Sequence, residues 1–201
     1  MKPSLTPEIY TKSGMLPKNP FPGKIVLHVG CGTNKLKGAT GMDVLPLDGV
    51  DIVQNLEHTP WPVEGGSVDI ILAHSVVEHL SDIVEFSREA WRVLKPDGRL
   101  IVTVPYFRSV DSYTDITHKH FFTSRSFDYF IASEKGLVKY SYSDRIFNKI
   151  GFWYGWPQDS SNPLIRLFKK FILSRSGFYD QYLSLLFPVK TLVWELEPLK
   201  S

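Results

Sequence analysis

The chain has 201 residues, of which 43% are apolar and 22% charged, with a net charge of +2; this is ordinary for a globular chain and long enough for one domain with a substantial core. That charge is too small to point to nucleic acid, and a single cysteine, Cys31, excludes an internal disulfide and a cysteine-built zinc site. No apolar run approaches the roughly 20 residues that span a bilayer, and residues 1–23 lack the apolar stretch of a signal peptide, so a cytoplasmic location is expected.

Residues 1–23 contain Pro3, Pro7, Pro17, Pro20 and Pro22, which predicts an irregular arm rather than a strand or a long helix. "KIVLHV" then reads as a buried strand ended by glycines, "GATGMDV" as a second, "GVDIVQNL" as a third and "SVDIILAH" as a fourth. The segment "SVVEHLSDIVEFSREAWRVLK" reads as a helix. Glu78 and His79 are placed at its beginning, Ser81 offers a start signal, Val84, Ala90, Trp91 and Leu94 form its apolar stripe, and Pro96-Asp97-Gly98 stop it. "RLIVTVPYF" is a fifth strand, apolar throughout as expected of one covered on both faces.

Beyond Tyr113 the pattern weakens. "SFDYFIAS" looks helical, whereas "GLVKYSYS" and "KTLVWELE" look like strands. Aromatics cluster at "FNKIGFWYGW", which reads as a core or lid element or as the wall of an apolar pocket. The expected architecture is one α/β domain over residues 1–201, with a cofactor-binding core at 24–107 and an acceptor-side segment at 108–201. The latter holds a helical insertion near 160–187 and a final strand near 189–197. In an open parallel sheet the ligand lies at the carboxyl ends of the strands, here Gly30 to Thr33, Asp43, Asn55, His74 and Pro105 to Phe107.

The turn in "HVGCGTNKLKGATGMDV" narrows the ligand. A phosphate-cradling loop needs a glycine-lysine-serine/threonine ending, which is absent. The dinucleotide fingerprint needs a third glycine where Lys35 stands and an acid about 20 residues on, yet Asp43 follows much sooner. Only about five residues, Thr33 to Lys37, remain for a helix, little more than one turn. Without a full helix N-terminus a pyrophosphate loses its dipole. What remains is a ligand that needs close backbone approach at Gly30 and Gly32 and a carboxylate for ribose hydroxyls. The abbreviated helix also predicts a gap in the pocket wall, which the arm would fill.

"VGCG", "EHL" and "LKPDG" at these spacings, with "ILAHSVVEHLSD…REAWRVLKPDGRLIVTVPYF", resemble the class I S-adenosylmethionine-dependent methyltransferases, in particular the type 11-like group. The resemblance covers Lys24 to Phe107. "TDITHKHFFTSRSFDYF" is similar to a segment in a bacterial and archaeal branch often associated with surface-glycan genes. The resemblance implies a Rossmann-like, mostly parallel seven-stranded sheet flanked by helices, with the last strand antiparallel and a shortened first helix. It implies S-adenosyl-L-methionine as cofactor. Gly30, Cys31 and Gly32 would wrap its methionine end, Met42 and Asp43 would lie at the ribose, Asn55 and Leu56 would frame the adenine, and His74 and Ser75 would border the sulfonium. Three positions depart from the group: His28 and Asn55 stand where an acid is usual, and Asn34 lies near a usual glycine. The first would alter the charge around the methionine ammonium.

Methyl transfer needs a base only for a weakly nucleophilic acceptor. The candidates are Asp115, His118 and His120 in "DITHKH"; on a strand the two histidines would share one face. The same cluster lacks an apparent fourth ligand, so no metal is expected. Glu78, His79, Tyr106 and Phe107 are expected at the edge of the acceptor pocket. Cys31 has no neighbouring base and reads as a turn residue. The expected acceptor is a small molecule or a glycan, such as a sugar hydroxyl in surface-polysaccharide synthesis. A cofactor-binding protein without turnover, or a methyltransferase acting on another metabolite or RNA, is the alternative. The mix of Arg166, Lys169, Lys170 and Arg175 with Leu, Ile and Phe over 164–187 fits a peripheral membrane contact, a lid or a dimer face.

Overall fold

The computed structural model describes residues 3–11, 14–132, 140, 142–157 and 160–200. The chain begins with α1 (Thr6–Ile9) and a two-stranded ladder of β1 (Tyr10–Thr11) and β2 (Gly14–Met15). The main sheet is built from β3 (Val26–Val29), β4 (Thr40–Asp43), β5 (Ile52–Val53), β6 (Val68–His74), β7 (Leu94–Pro105), β8 (Phe147–Tyr154) and β9 (Thr191–Pro198). Its order is β5-β4-β3-β6-β7-β9-β8. Neighbours pair in parallel from β5 to β7, and β9 runs antiparallel to both β7 and β8. This is the expected seven-stranded sheet with its last strand reversed. Among the described residues no helix is long and apolar enough to cross a membrane.

The strands sort their side chains by period 2 onto two faces. Leu27, Val29, Ile71, Ala73, Val102 and Val104 pack with Phe86, Ala90 and Val93 of α2 (Ile83–Val93). Val26, Ile70, Leu72, Ile101 and Val193 face the other way and pack with Ile9, Tyr10, Leu36 and Ala39. The second face is therefore covered by the arm. The short helix expected between the first two sheet strands is absent: residues 32 and 33 form a turn, 34–36 are irregular, and Lys37 bridges to Lys18 of the arm, which takes the helix's place.

The proline-rich arm is consequently less irregular than its composition suggests. Its prolines leave φ-compatible room for a four-residue helix with a proline in its first turn. Glu195 on β9, fully buried, accepts hydrogen bonds from the Leu5 and Thr6 amides at 3.0 Å and from Thr6 Oγ1 at 2.7 Å. It also accepts from Ser4 Oγ. Farther on, Lys37 N donates to Pro17 O at 3.0 Å and Asn19 N donates to Lys37 O at 2.8 Å.

Helix α2 starts later than its sequence suggested. Asp82, not Ser81, caps it by accepting from the Glu85 amide at 2.8 Å, and Glu78 and His79 lie before it in a separate 3-10 turn, Val77–His79. Leu80 is extended between the two. The apolar stripe is Phe86, Ala90 and Val93. Leu94 already belongs to β7; Val84 and Trp91 pack half-buried at the margin of this core, with the cations of Arg145 and Lys200 4.6 and 4.5 Å from the Trp91 ring centroid. In "SFDYFIAS", Ser126–Tyr129 form a 3-10 turn and Ile131 bridges to Phe147, while residue 133 lies outside the described residues. Of "GLVKYSYS", residues 136–139 and 141 lie outside the described residues; the next described strand of the sheet is the aromatic segment Phe147–Tyr154.

Between β7 and β8 lies the short α3 (Asp111–Thr114), and between β8 and β9 come α4 (Pro163–Ser174), α5 (Ser176–Phe178) and a π-helical turn, Tyr179–Leu183. Ile172, Phe168 and Tyr179 anchor this segment to the core, while Leu164, Leu167, Leu185 and Leu186 are exposed.

Candidate active site

The carboxyl ends of β3, β4 and β6 meet at the glycine turn. Gly30 N donates to Met42 O at 2.8 Å, and Gly32 N donates to Asp43 Oδ2 at 2.8 Å. Asp43 Oδ1 accepts from Leu45 N at 3.0 Å. Both glycines are left-handed, with φ +60° and +49°. Asp43 thus spends one acceptor position on each oxygen and keeps the others, since an ionised carboxylate offers about four.

Beside this turn lies a cavity of 220 Å³ lined by Gly30, Asp43, Asn55, Leu56, Val76 and His79, among others. Four of the residues expected at the cofactor therefore line one space. Asn55 Oδ1 accepts from Glu57 N at 2.9 Å, which fixes the side-chain amide beside the cavity it lines. Val44, Glu57, Val76 and Leu80 also line it and were not singled out from sequence; Val44 and Glu57 follow directly on Asp43 and Leu56, which was the available signal.

Other expectations are corrected by packing. Met42 is buried in the core and serves the turn through its carbonyl. Cys31 is buried, its thiol pushed up by burial, with its sulfur over Gly41, where an added Cβ would lie 2.8 Å away. His74 lines neither this cavity nor its neighbour: its ring stacks with Tyr10 and Trp156, and Nδ1 is 3.1 Å from the Tyr10 hydroxyl. Strand alternation turns it toward the arm, leaving Ser75 at the site. Ser75 has φ 51°, a left-handed conformation that a non-glycine residue adopts under strain.

His28 also faces the arm. It is buried, and its Nδ1 accepts from the Leu36 amide at 3.1 Å, so its ring closes the turn instead of facing the cofactor. Burial, with the neighbouring His74 and against the pull of Asp43, lowers its pKa to about 4. An unfolded histidine titrates near 6.5. The unfolded chain therefore binds more protons between these values, and stability falls as pH drops from about 6.5 toward 4. Between pH 7 and 5 the wild type should lose about 2 kcal/mol more than His28→Gln in denaturant titrations, an order-of-magnitude value from the linkage relation. Parallel losses in both proteins would refute this.

A second cavity, of 660 Å³, adjoins the first. Ser75, Glu78, His79, Asp111, Asp115 and His118 are among its lining residues, and His79 lines both spaces. Glu78 is 1% exposed, and neither of its carboxylate oxygens has a hydrogen-bond partner. Burial pushes its pKa up to about 7. The His118 segment is clamped to this turn, because the Lys119 and His120 amides both donate to Glu78 O, at 2.8 and 3.3 Å. His118 Nδ1 lies 2.9 Å from the Ser112 carbonyl. A carbonyl only accepts, so Nδ1 carries the proton and Nε2 is left as the bare nitrogen.

The candidate bases thus separate. His118 and Asp115 line the cavity. His120 points elsewhere, against Phe122, with Nε2 buried, because the segment is not a strand and residues two apart diverge. Hydrogen bonds from the Thr117 hydroxyl and amide hold the Asp115 carboxyl below the usual range, which makes it a weak base. Tyr106 is not a pocket wall: it is fully buried, with its hydroxyl donating to Asp180 Oδ1 at 2.8 Å. Phe107 packs edge-on against Tyr106 and lies under the Arg108 guanidinium.

Comparison with known proteins agrees with this geometry. Residues 27–102 match the family model described as a methyltransferase domain, type 11. The bovine mitochondrial ubiquinone biosynthesis O-methyltransferase is 30% identical over 111 residues, 43% of this chain and 30% of that protein. A probable S-adenosylmethionine-dependent methyltransferase of Mycolicibacterium smegmatis is 41% identical over 51 residues, 25% of this chain and 19% of that one. The chain thus spans about a third or less of these curated relatives. In fold it is similar to the YcgJ protein of Bacillus subtilis, with TM-score 0.54 and 17% identity over 89% of this chain and 92% of that chain. A sheet of this order, a glycine turn where β3 and β4 end, and the matched segment agree: residues 27–102, under half of the chain, are similar to the type 11 methyltransferase domain.

Proposed function

We propose that this chain transfers the methyl group of S-adenosylmethionine to a hydroxyl oxygen of a small-molecule or glycan acceptor bound in the 660 Å³ cavity. The observation that carries the reading is the contiguity of the two cavities at His79, with the strained Ser75 on the wall of the larger one. Asp111, Thr114 and Asp115 on the larger cavity are hydrogen-bonding partners suited to a hydroxylated acceptor. The name of the bovine relative, an O-methyltransferase, supports oxygen as the methylated atom.

When bound, the cofactor supplies an electrophilic methyl group on a cationic sulfur. The open acceptor positions of Asp43 would take the ribose hydroxyls, the Asn55 side-chain amide would meet the adenine edge, and Leu56 would cover its face. Gly30 allows the backbone to approach closely. Positioning of the acceptor in line supplies much of the rate, and the hydroxyl proton leaves at the Glu78–His118 corner, where His118 presents its bare Nε2.

Calorimetry with S-adenosylmethionine tests the site. Asp43→Ala, which removes a charged acceptor, should weaken binding about tenfold to a hundredfold; equal heats in both proteins would refute the assignment. Transfer of a tritiated methyl group to a panel of nucleotide sugars and glycans then separates an enzyme from a protein that binds the cofactor without turnover.

A further inference from the structure

We propose that Glu78, His79 and His118 form a binding site for a divalent transition-metal ion at the junction of the two cavities. One donor atom from each residue lies within 4.8 Å of the others. Donor atoms held about 2.1 Å from one ion lie roughly 3–4 Å apart, so closure onto an ion needs side-chain shifts of about an ångström. This ligand set differs from the Asp115-His118-His120 cluster visible in sequence. It is assembled by the clamp of the Lys119 and His120 amides on the Glu78 carbonyl, across some forty residues of chain.

Two observations point to a ligand here, and the second matches a known pattern around metal-bound imidazoles. First, Glu78 is a fully buried carboxylate that lines the cavity with both oxygens unpartnered. A buried polar group without a hydrogen bond is costly, and such groups are usually paired or coordinate a metal. Second, both histidines have one nitrogen occupied and the other bare. His118 donates Nδ1–H to the Ser112 carbonyl. His79 Nδ1 lies 2.9 Å from Thr117 Oγ1, whose single proton is already given to Asp115 Oδ1 at 2.7 Å. Thr117 can therefore only accept from His79, and His79 Nε2 carries the lone pair. This arrangement of a ring N–H pinned by a carbonyl or by a carboxylate-backed oxygen is the outer-shell pattern that fixes and strengthens imidazole ligands.

Two imidazoles and one carboxylate suit zinc, manganese or iron rather than magnesium, which favours an all-oxygen shell. Three protein ligands leave coordination positions open, and these face the 660 Å³ cavity. On the methyl-transfer reading, on which this last point rests, an acceptor hydroxyl would occupy one of them. The ion would then lower the hydroxyl pKa. Its proton would pass to solvent, the oxygen–carbon bond would form and the carbon–sulfur bond would break, leaving a neutral thioether. His118 then acts as a ligand rather than as the base.

Calorimetry of the full chain with Zn²⁺ tests the site without any turnover. The expected result is one ion per chain, with affinity about tenfold or more weaker in Glu78→Gln and in His118→Gln, and about tenfold weaker in Thr117→Val, which touches only the outer shell. Mg²⁺ should bind more weakly than Zn²⁺. S-adenosylmethionine heats and circular dichroism of each variant show that it is folded. No zinc binding, or equal binding in wild type and all three variants, overturns the proposal even where cofactor binding is intact. Zinc binding without cofactor binding sustains it and instead overturns the methyl-transfer reading.

Discussion

Glu195→Ala should release the N-terminal arm and destabilise the whole fold. The wild-type carboxylate is fully buried, accepts from Ser4, Leu5 and Thr6, and pairs with the Arg99 guanidinium at 3.3 Å. Truncation leaves the Leu5 and Thr6 amides without their acceptor and a guanidinium, 5% exposed, with Glu197 as its remaining carboxylate. Removing one partner of a buried ion pair costs about 3–5 kcal/mol, which for a chain of this size lowers the melting temperature by roughly 10 °C. The arm also covers Val26, Ile70, Leu72, Ile101 and Val193, so its release exposes one face of the sheet. Limited proteolysis should cut within residues 1–23 of the variant and spare the wild type. An unchanged melting temperature with a resistant arm would show that Glu195 is not the anchor.

Gly30→Ala should harm cofactor binding far more than Gly32→Ala, although both glycines belong to the same motif. Each is left-handed, so alanine costs about 1–2 kcal/mol at either position. The surroundings differ. A Cβ on Gly30 would fall 2.2 Å from Val76 Cγ2 and 2.5 Å from Val76 Cβ, whereas a Cβ on Gly32 meets nothing within 4 Å. Val76 itself lines the 220 Å³ cavity and precedes the Val77–His79 turn. Relieving the clash must therefore move the cofactor wall and the start of the turn that carries Glu78 and His79. S-adenosylmethionine affinity should drop about tenfold or more in Gly30→Ala, the equivalent of about 1.4 kcal/mol. Gly32→Ala should lose stability with a smaller change in affinity. Equal calorimetric losses in the two variants would place the effect in backbone strain alone.

The docked arm explains how a nucleotide-type sheet tolerates the loss of a helix. An open α/β sheet needs both faces covered. Here one face is covered by α2 and the other by Ile9 and Tyr10 from the arm together with Leu36 and Ala39 from the turn. His28 stands at the junction, accepting the Leu36 amide that a helix would otherwise have satisfied internally. His28 is thereby committed to closing the turn rather than to facing the cofactor.

Much of the cofactor half was legible in the residues alone. Apolar runs bounded by glycine and proline marked β3, β4, β6 and β7, because a strand buried on both faces leaves a continuous apolar signature. Gly30, Gly32, Asp43, Asn55 and Leu56 could be placed at strand ends because a glycine turn and an acid after the next strand carry local, short-range information. The spacing from Thr33 to Lys37 also announced that the first helix was short of chain. Side-chain direction was less accessible: Met42, His74 and Tyr106 sit at strand ends as expected, yet alternation and packing turn them into the core or toward the arm. The acceptor side depended on tertiary structure almost entirely. Phe147–Tyr154 reads as an aromatic cluster until its pairing with β9 makes it a strand. Glu78 and His79 read as the start of a helix until Leu80 and Asp82 move that start to Ile83 and leave them in a separate turn. Nothing local links them to His118; the link is made by backbone and side-chain hydrogen bonds between segments distant in sequence, among them the Lys119 and His120 amides on Glu78 O and the His79–Thr117 contact. Local composition determined the sheet and its glycine turn, while long-range pairing decided which side chains share the second cavity, since that depends on contacts no single segment encodes.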